Sequence, residues 1–223
     1  MREYTLPKRE SVALLTIDLQ RDFCRSDSPV VASGFAAALP QVTALVKAFR
    51  QHSLPIFHSL RLYRPDGSNV DLFRRAAVEE GLRVLMPGTS GAGLIEEMRT
   101  PQYEHLNVDD LFAGGFQENG AREWLFYKPR WGAFHDTPLH EKLRAMKIDT
   151  LVVCGCNFPT GGRATVYEGC SRDYRISIIG DAFAGANDEG LCELNRIGAY
   201  SSSAAACLDW LTGPAAARST TAA

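Results

Sequence analysis

Three positions in this 223-residue chain follow apolar runs and could meet in space. Asp18 follows Val12-Ala-Leu-Leu-Thr-Ile, Lys128 follows Glu123-Trp-Leu-Phe-Tyr, and Gly161 lies a few residues past Thr150-Leu-Val-Val-Cys-Gly, at the start of an expected helix. A carboxylate and an ammonium group held together can move a proton and balance the charge that develops as it moves. If the apolar runs are parallel strands, all three positions fall beyond the carboxyl ends of the sheet, where ligands bind in such folds. Taken singly, each is weak. A carboxylate after a strand is more often a helix cap or a solvated charge, and a lone lysine is more often a surface charge.

The elements that would position them are readable from hydrophobic periodicity. Residues 12 to 17 and 150 to 155 are short unbroken apolar runs, as expected of strands covered on both faces. Pro55-Ile-Phe-His-Ser-Leu, Glu123-Trp-Leu-Phe-Tyr and Arg175-Ile-Ser-Ile-Ile-Gly are further strands. Helices are expected over about 35 to 51, 138 to 146, 160 to 172 and, as a single long helix, 189 to 211. Residues 62 to 122 are rich in glycine and read as long loops with short helices near 72 to 80 and 91 to 98. Long loops of this kind often line sites or make subunit contacts. Strands alternating with helices give an α/β fold, a three-layer α/β/α sandwich around a mainly parallel sheet of about six strands. The chain divides into an N-terminal arm (1–10), one domain (11–211) and a small, polar tail (212–223) read as disordered.

Composition removes several function classes. The apolar fraction is 45% and the formal net charge is −2. That is ordinary for a soluble globular protein and gives no electrostatic case for nucleic acid or an anionic membrane. No apolar run approaches the length of a membrane span. The first ten residues lack the apolar stretch of a secretory signal, so a cytoplasmic location with reduced thiols is expected for the six cysteines. Cys154 and Cys156 have no second close pair, so their spacing is not that of a zinc site.

Read in order, Asp18-Leu-Gln-Arg-Asp-Phe23, Lys128 with Gly-Ala-Phe close behind, the Val-Cys-Gly-Cys strand end and Gly180-Asp-Ala resemble the isochorismatase-like hydrolases, also called the cysteine hydrolases. The resemblance covers about 11 to 211. It implies hydrolysis of a small molecule, no cofactor, and a homodimer or homotetramer. In the cysteine branch, an aspartate like Asp18 takes a thiol proton and a lysine like Lys128 supports the charges. The thiolate attacks a carboxamide, and backbone N–H groups, that of residue 161 included, hold the oxyanion. The resemblance also implies a cis peptide near Cys156-Asn157.

The chain departs from that pattern at its centre. Where such relatives read roughly Asn-Phe-Pro-Asn-Cys-Pro-Arg, this sequence reads Asn157-Phe-Pro-Thr-Gly161-Gly-Arg163. A glycine cannot attack a carbonyl, so acyl-enzyme chemistry through position 161 is excluded. Three accounts fit. The protein resembles true isochorismatases, in which an aspartate protonates the vinyl group of an enol ether and water attacks the resulting oxocarbenium ion. Alternatively it is a ligand-binding pseudoenzyme on a carboxamide hydrolase scaffold, or its nucleophile was removed by engineering. Three neighbouring differences argue for natural divergence. Asp18 as an acid requires something, such as burial, to offset the effect of Lys128.

Around this centre, Phe23, Arg61, Tyr63, Trp131, Phe158, Thr160 and Gly162 are expected to contact substrate. Arg61, Tyr63 and Arg64 are placed at the mouth, where arginine forks suit a carboxylate-bearing substrate, although a structural salt bridge is an equal reading. Trp131 and Phe134 are candidates for an apolar wall. Tyr167 is a further candidate or helix core. Gly161 with Gly162 would widen the pocket and let backbone N–H groups approach a ligand or water. Thr160 is a candidate hydroxyl or helix cap, and Arg163, against the helix dipole, calls for an acidic partner. Cys156 is the best-placed alternative thiol, though a small buried hydrophobe is the stronger reading. Cys24, Cys170, Cys192 and Cys207 carry no motif. His58 lacks the carboxylate and second histidine of the nicotinamidase-type metal set, so no zinc or iron is expected.

Overall fold

The computed structural model describes residues 3–213. Seven strands form one sheet: β1 (Val12–Ile17), β2 (Ile56–Leu60), β3 (Phe116–Gly120), β4 (Glu123–Tyr127), β5 (Thr150–Gly155), β6 (Arg175–Phe183) and β7 (Tyr200–Ser202). Their order across the sheet is β3-β4-β2-β1-β5-β6-β7. All pairings are parallel except the β3–β4 hairpin at one edge. The helices are α1 (Arg21–Cys24), α2 (Phe35–Gln51), α3 (Leu72–Glu79), α4 (Val108–Phe112), α5 (Leu139–Ala145), α6 (Arg163–Cys170), α7 (Asp188–Arg196) and α8 (Ala204–Thr212).

The sheet is covered on both faces, which explains why β1 and β5 are apolar along their whole length. Alternate residues of β1 feed two cores. Val12 and Leu14 pack with Val42, Leu45, Val46 and Phe49 of α2 and Leu211 of α8. Ala13, Leu15 and Ile17 pack with Leu139 and Leu143 of α5, Val166 of α6 and Leu194 of α7. β1 lies at the centre, between β2 and β5, so the residue that follows it emerges in the middle of the sheet's carboxyl end. Among the described residues, no helix is long and apolar enough to cross a membrane.

Several expectations need correction. The sheet has seven strands, two beyond the five runs read as strands: β3, inside the segment read as loops, and β7. The single long helix over 189–211 is two, α7 and α8, separated by β7. Gly198, at φ 100°, makes the turn that ends α7, and the period-2 signal of Tyr200-Ser-Ser is too short and polar to stand out. The segment near 91–98 holds only a single 3-10 turn, Glu96–Met98, because Gly91 and Gly93 break any longer helix. The described residues contain no cis peptide bond; the turn after Cys156 is made instead by Asn157 in the left-handed region (φ 63°, ψ 73°), which asparagine tolerates. The tail from 214 onward lies outside the described residues.

Candidate active site

Asp18 ends β1 in an unusual conformation. Its φ is 54°, so the chain turns sharply as it leaves the sheet. Its N–H donates to the Ser59 carbonyl at 3.1 Å and its carbonyl accepts from the Gln20 N–H at 2.8 Å. A left-handed non-glycine residue persists only when its surroundings hold it there. Gln20 supplies that hold: its amide donates to the Arg61 carbonyl and accepts from the Arg61 N–H, both at 2.7 Å. The end of β1 is thereby tied to the end of β2.

Lys128 follows β4 and is fully buried. Its Nζ donates to Asp18 Oδ2 at 2.9 Å and to the Arg130 carbonyl at 3.2 Å. Burial lowers the pKa of Lys128, and the nearby Asp18 carboxylate opposes that shift. Asp18 is 7% exposed. Its second oxygen, Oδ1, is buried and has no hydrogen-bond partner among the described residues.

The third position meets this pair as the sequence suggests. A five-residue π turn, Phe158–Gly162, carries the chain from β5 into α6, and such turns are frequent at functional sites. A Cβ on residue 161 would sit 3.5 Å from Asp18 Oδ2, 3.5 Å from the Trp131 carbonyl and 2.9 Å from Ile17 Cγ2. A side chain there would therefore face the Asp18 carboxylate. None is present, and the Ile17 methyl closes in on the space.

Gly162 serves packing. A Cβ there would come within 2.9 Å of the Phe183 ring, so the missing side chain admits the core aromatic and does not widen the pocket. Phe158 is likewise a core residue, fully buried, with its ring 6.0 Å from Phe183 and close against Gly190. Phe134 turns inward onto Tyr174, 5.3 Å between centroids. Thr160 is half-buried on the π turn. Tyr167 is exposed, so it is not helix core. Arg163 has its acidic partner within the chain, Glu193 of α7.

Arg61 and Tyr63 are not at the mouth. Arg61 is 3% exposed. Its guanidinium donates to Asp71 and to the Lys128 carbonyl, so of the two readings of this arginine the structural ion pair is the one observed. The Tyr63 hydroxyl donates to the same Asp71 carboxylate at 2.9 Å. Asp71 gave no signal in the sequence beyond that of an acid ahead of a helix. Arg64 stays exposed over the Phe112 ring. Phe23 is buried, with the Arg74 guanidinium 5.4 Å above its ring.

A cavity of about 680 Å³ has walls that include Asp71, Leu72, Phe73, Arg130, Trp131 and Ala164; Asp18 and Lys128 are not among its lining residues. That is ample for a small molecule. Trp131 links it to the buried pair, since its ring lines the cavity and its carbonyl faces position 161. Leu72 is 82% exposed, Phe73 58% and Trp131 43%, and the last two rings meet edge-on at 5.6 Å. The apolar wall expected of Trp131 is thus shared with Phe73 and not with Phe134.

Cys156 is buried with its sulfur 3.4 Å from that of Cys24, and burial raises its pKa well above that of an ordinary thiol. Such a sulfur is a packing group and not a thiolate. His58 spends both ring nitrogens inside the sheet, on Thr16 Oγ1 at 2.7 Å and on Glu123 at 2.8 Å. No group of three metal-ligating side chains occurs among the described residues.

The fold is a mainly parallel sheet covered on both faces, with a buried carboxylate–ammonium pair at its carboxyl end. Comparison with known proteins gives the family. The model of the isochorismatase domain matches residues 12–205, and the chain belongs to that family of hydrolases. It is 29% identical over 181 residues to a probable inactive nicotinamidase of Arabidopsis thaliana, covering 80% of this chain and 83% of that one. It is 27% identical over 128 residues to the phenazine biosynthesis protein PhzD1 of Pseudomonas aeruginosa, covering 52% and 59%. The crystal structure of an isochorismatase family protein from Desulfovibrio vulgaris superimposes with a TM-score of 0.76 at 26% identity, covering 90% of this chain and 98% of that one. The names of these relatives do not converge on one substrate.

Proposed function

We propose that this protein hydrolyses a small enol ether without a covalent intermediate, with Asp18 as the proton donor and Lys128 as its electrostatic partner. One observation carries the reading. The Asp18–Lys128 pair is intact at 2.9 Å, while position 161, which faces it, has no side chain and is closed by Ile17. The acid/base half of the family's machinery is kept and the nucleophilic half is absent.

The chemistry follows from the charges. Burial lowers the pKa of Lys128, which eases passage of its proton to Asp18 across the 2.9 Å hydrogen bond. Asp18 then gives its proton to the terminal methylene carbon of a vinyl ether. The C=C electron pair forms the new C–H bond, and the ether oxygen stabilises the oxocarbenium ion that results. Water adds to the oxygen-bearing carbon of that ion, giving a hemiketal, and returns a proton to the Asp18 carboxylate. The hemiketal then breaks its C–O bond, releasing a ketone and an alcohol. The carboxylate opposes the developing positive charge, the kind of stabilisation that is largest in a site shielded from water. The substrate body would rest on Trp131 and Phe73.

Turnover in D2O tests this step. Carbon protonation places one deuterium in the new methyl group of the ketone product, read by mass spectrometry. Hydrolysis that leaves this carbon unlabelled would exclude it.

A second reading, a ligand-binding protein on a carboxamide hydrolase scaffold, draws support from the relative described as a probable inactive nicotinamidase. Tight binding that is unaffected by Asp18→Asn, with no turnover of any kind, would favour it.

A further inference from the structure

Four ionisable side chains, not two, meet beneath the site. Lys128 touches Asp18 from the end of β1. From the end of β2, Arg61 reaches the Lys128 carbonyl with Nη1 at 3.1 Å. Its other terminal nitrogen pairs with Asp71, which precedes α3. Asp18, Arg61, Asp71 and Lys128 are all buried. The neighbours that complete the surroundings are Tyr63, whose hydroxyl donates to Asp71, and Arg74 of α3, which donates to the Tyr63 hydroxyl at 3.3 Å. With Asp18 and Lys128 both charged, the cluster holds two positive and two negative groups.

We propose that Arg61 and Asp71 are a positioning pair for the Asp18–Lys128 couple, fixing how readily Lys128 carries its charge. Arg61 alone beside Lys128 would repel its proton, and in a buried cluster that repulsion is poorly screened. Asp71 cancels it. The two act on Lys128 in opposite senses, Arg61 lowering its pKa and Asp71 raising it, beneath the larger effects of burial and of Asp18. Each member of the pair thereby checks the effect that the other would have alone on the charge of Lys128, the proton source beside Asp18. The fold braces the arrangement, because the Gln20 side-chain amide grips the Arg61 backbone while the Gln20 backbone N–H donates to the Asp18 carbonyl. The link to catalysis rests on the proposed function; the charge coupling itself does not.

The test is the titration of the Lys128 side chain, followed by NMR of lysine-labelled protein without substrate, with Lys128→Met giving the assignment. Asp71→Asn leaves Arg61 uncompensated, so the Lys128 midpoint is expected to fall by about one pH unit or more. Arg61→Gln leaves Asp71 uncompensated, so it is expected to rise. The double variant removes both charges and returns the midpoint close to that of the unmodified protein. Tyr63→Phe removes a hydrogen bond and no charge, and leaves the midpoint within a few tenths of a pH unit, a scale set by solvated charges. A merely structural pair would move both single variants the same way, or neither, and either result overturns the proposal. If Asp71→Asn does not fold, Arg61→Gln and the double variant still decide. Opposite shifts in a protein that hydrolyses no enol ether would sustain the charge coupling while sinking the proposed function. Enol-ether turnover with an unmoved Lys128 midpoint would do the reverse.

Discussion

The Cγ2 methyl of Ile17 lies 2.9 Å from where a Cβ on Gly161 would sit. Side-chain carbons do not approach that closely, so a side chain at 161 requires the Ile17 methyl to shift.

A double-mutant cycle follows from that contact. Gly161→Ala is expected to destabilise the fold by about 1–3 kcal/mol through overpacking. In an Ile17→Ala background the methyl is gone, so adding alanine at 161 is expected to cost about 1 kcal/mol less than it does alone. Urea unfolding of the four proteins measures the coupling. Strict additivity would mean that Ile17 does not guard position 161.

The buried pair makes a prediction of its own. Lys128→Met leaves Asp18 in the interior without its cation and is expected to cost roughly 3–5 kcal/mol, because an uncompensated buried charge is strongly unfavourable. Asp18→Asn added to Lys128→Met removes that charge and should recover most of the loss. Neither protein should turn over substrate. Denaturant midpoints at neutral pH separate the stability effect from the catalytic one.

Much of this was legible in the sequence, and the limits have physical causes. Asp18 and Lys128 were findable because each directly follows an apolar strand, and strand ends in a parallel sheet converge. β1, α2 and β5 were found because their hydrophobic pattern is unambiguous. The misplaced residues depend on three-dimensional partners. Arg61 looks like a substrate fork until Asp71 is seen to neutralise it. Phe158 directly follows Asn157, whose left-handed backbone turns the chain, and its ring is buried. Gly162 looks like a pocket-widening residue until Phe183 fills the space. Phe73, half of the cavity's aromatic wall, lies on a helix whose exposed face gave no reason to single it out.

Acid stability should report the network behind the sheet. Glu123 is buried, and burial opposes its ionisation. Hydrogen bonds from Arg50 and His58 outweigh this and bring its pKa down to about 2. A carboxylate with a depressed folded-state pKa contributes stability that is full above its unfolded value. That contribution is lost as pH falls through the folded one. Between about pH 4.5 and 2, roughly 3 kcal/mol should disappear. Glu123→Gln should flatten the decline in melting temperature over that window. An unchanged slope would show that Glu123 is not the group responsible.

The central claim is that the acid acts alone where the family's nucleophile is missing. It is tested most directly by comparing the unmodified protein, Asp18→Asn and Gly161→Cys on one panel of enol ethers, isochorismate included, and small carboxamides. The account predicts that the unmodified chain hydrolyses an enol ether, that Asp18→Asn loses about 100-fold or more of that rate, and that Gly161→Cys gains no amidase activity. An unmodified chain inert on every enol ether, with carboxamide hydrolysis appearing only in Gly161→Cys, would contradict it.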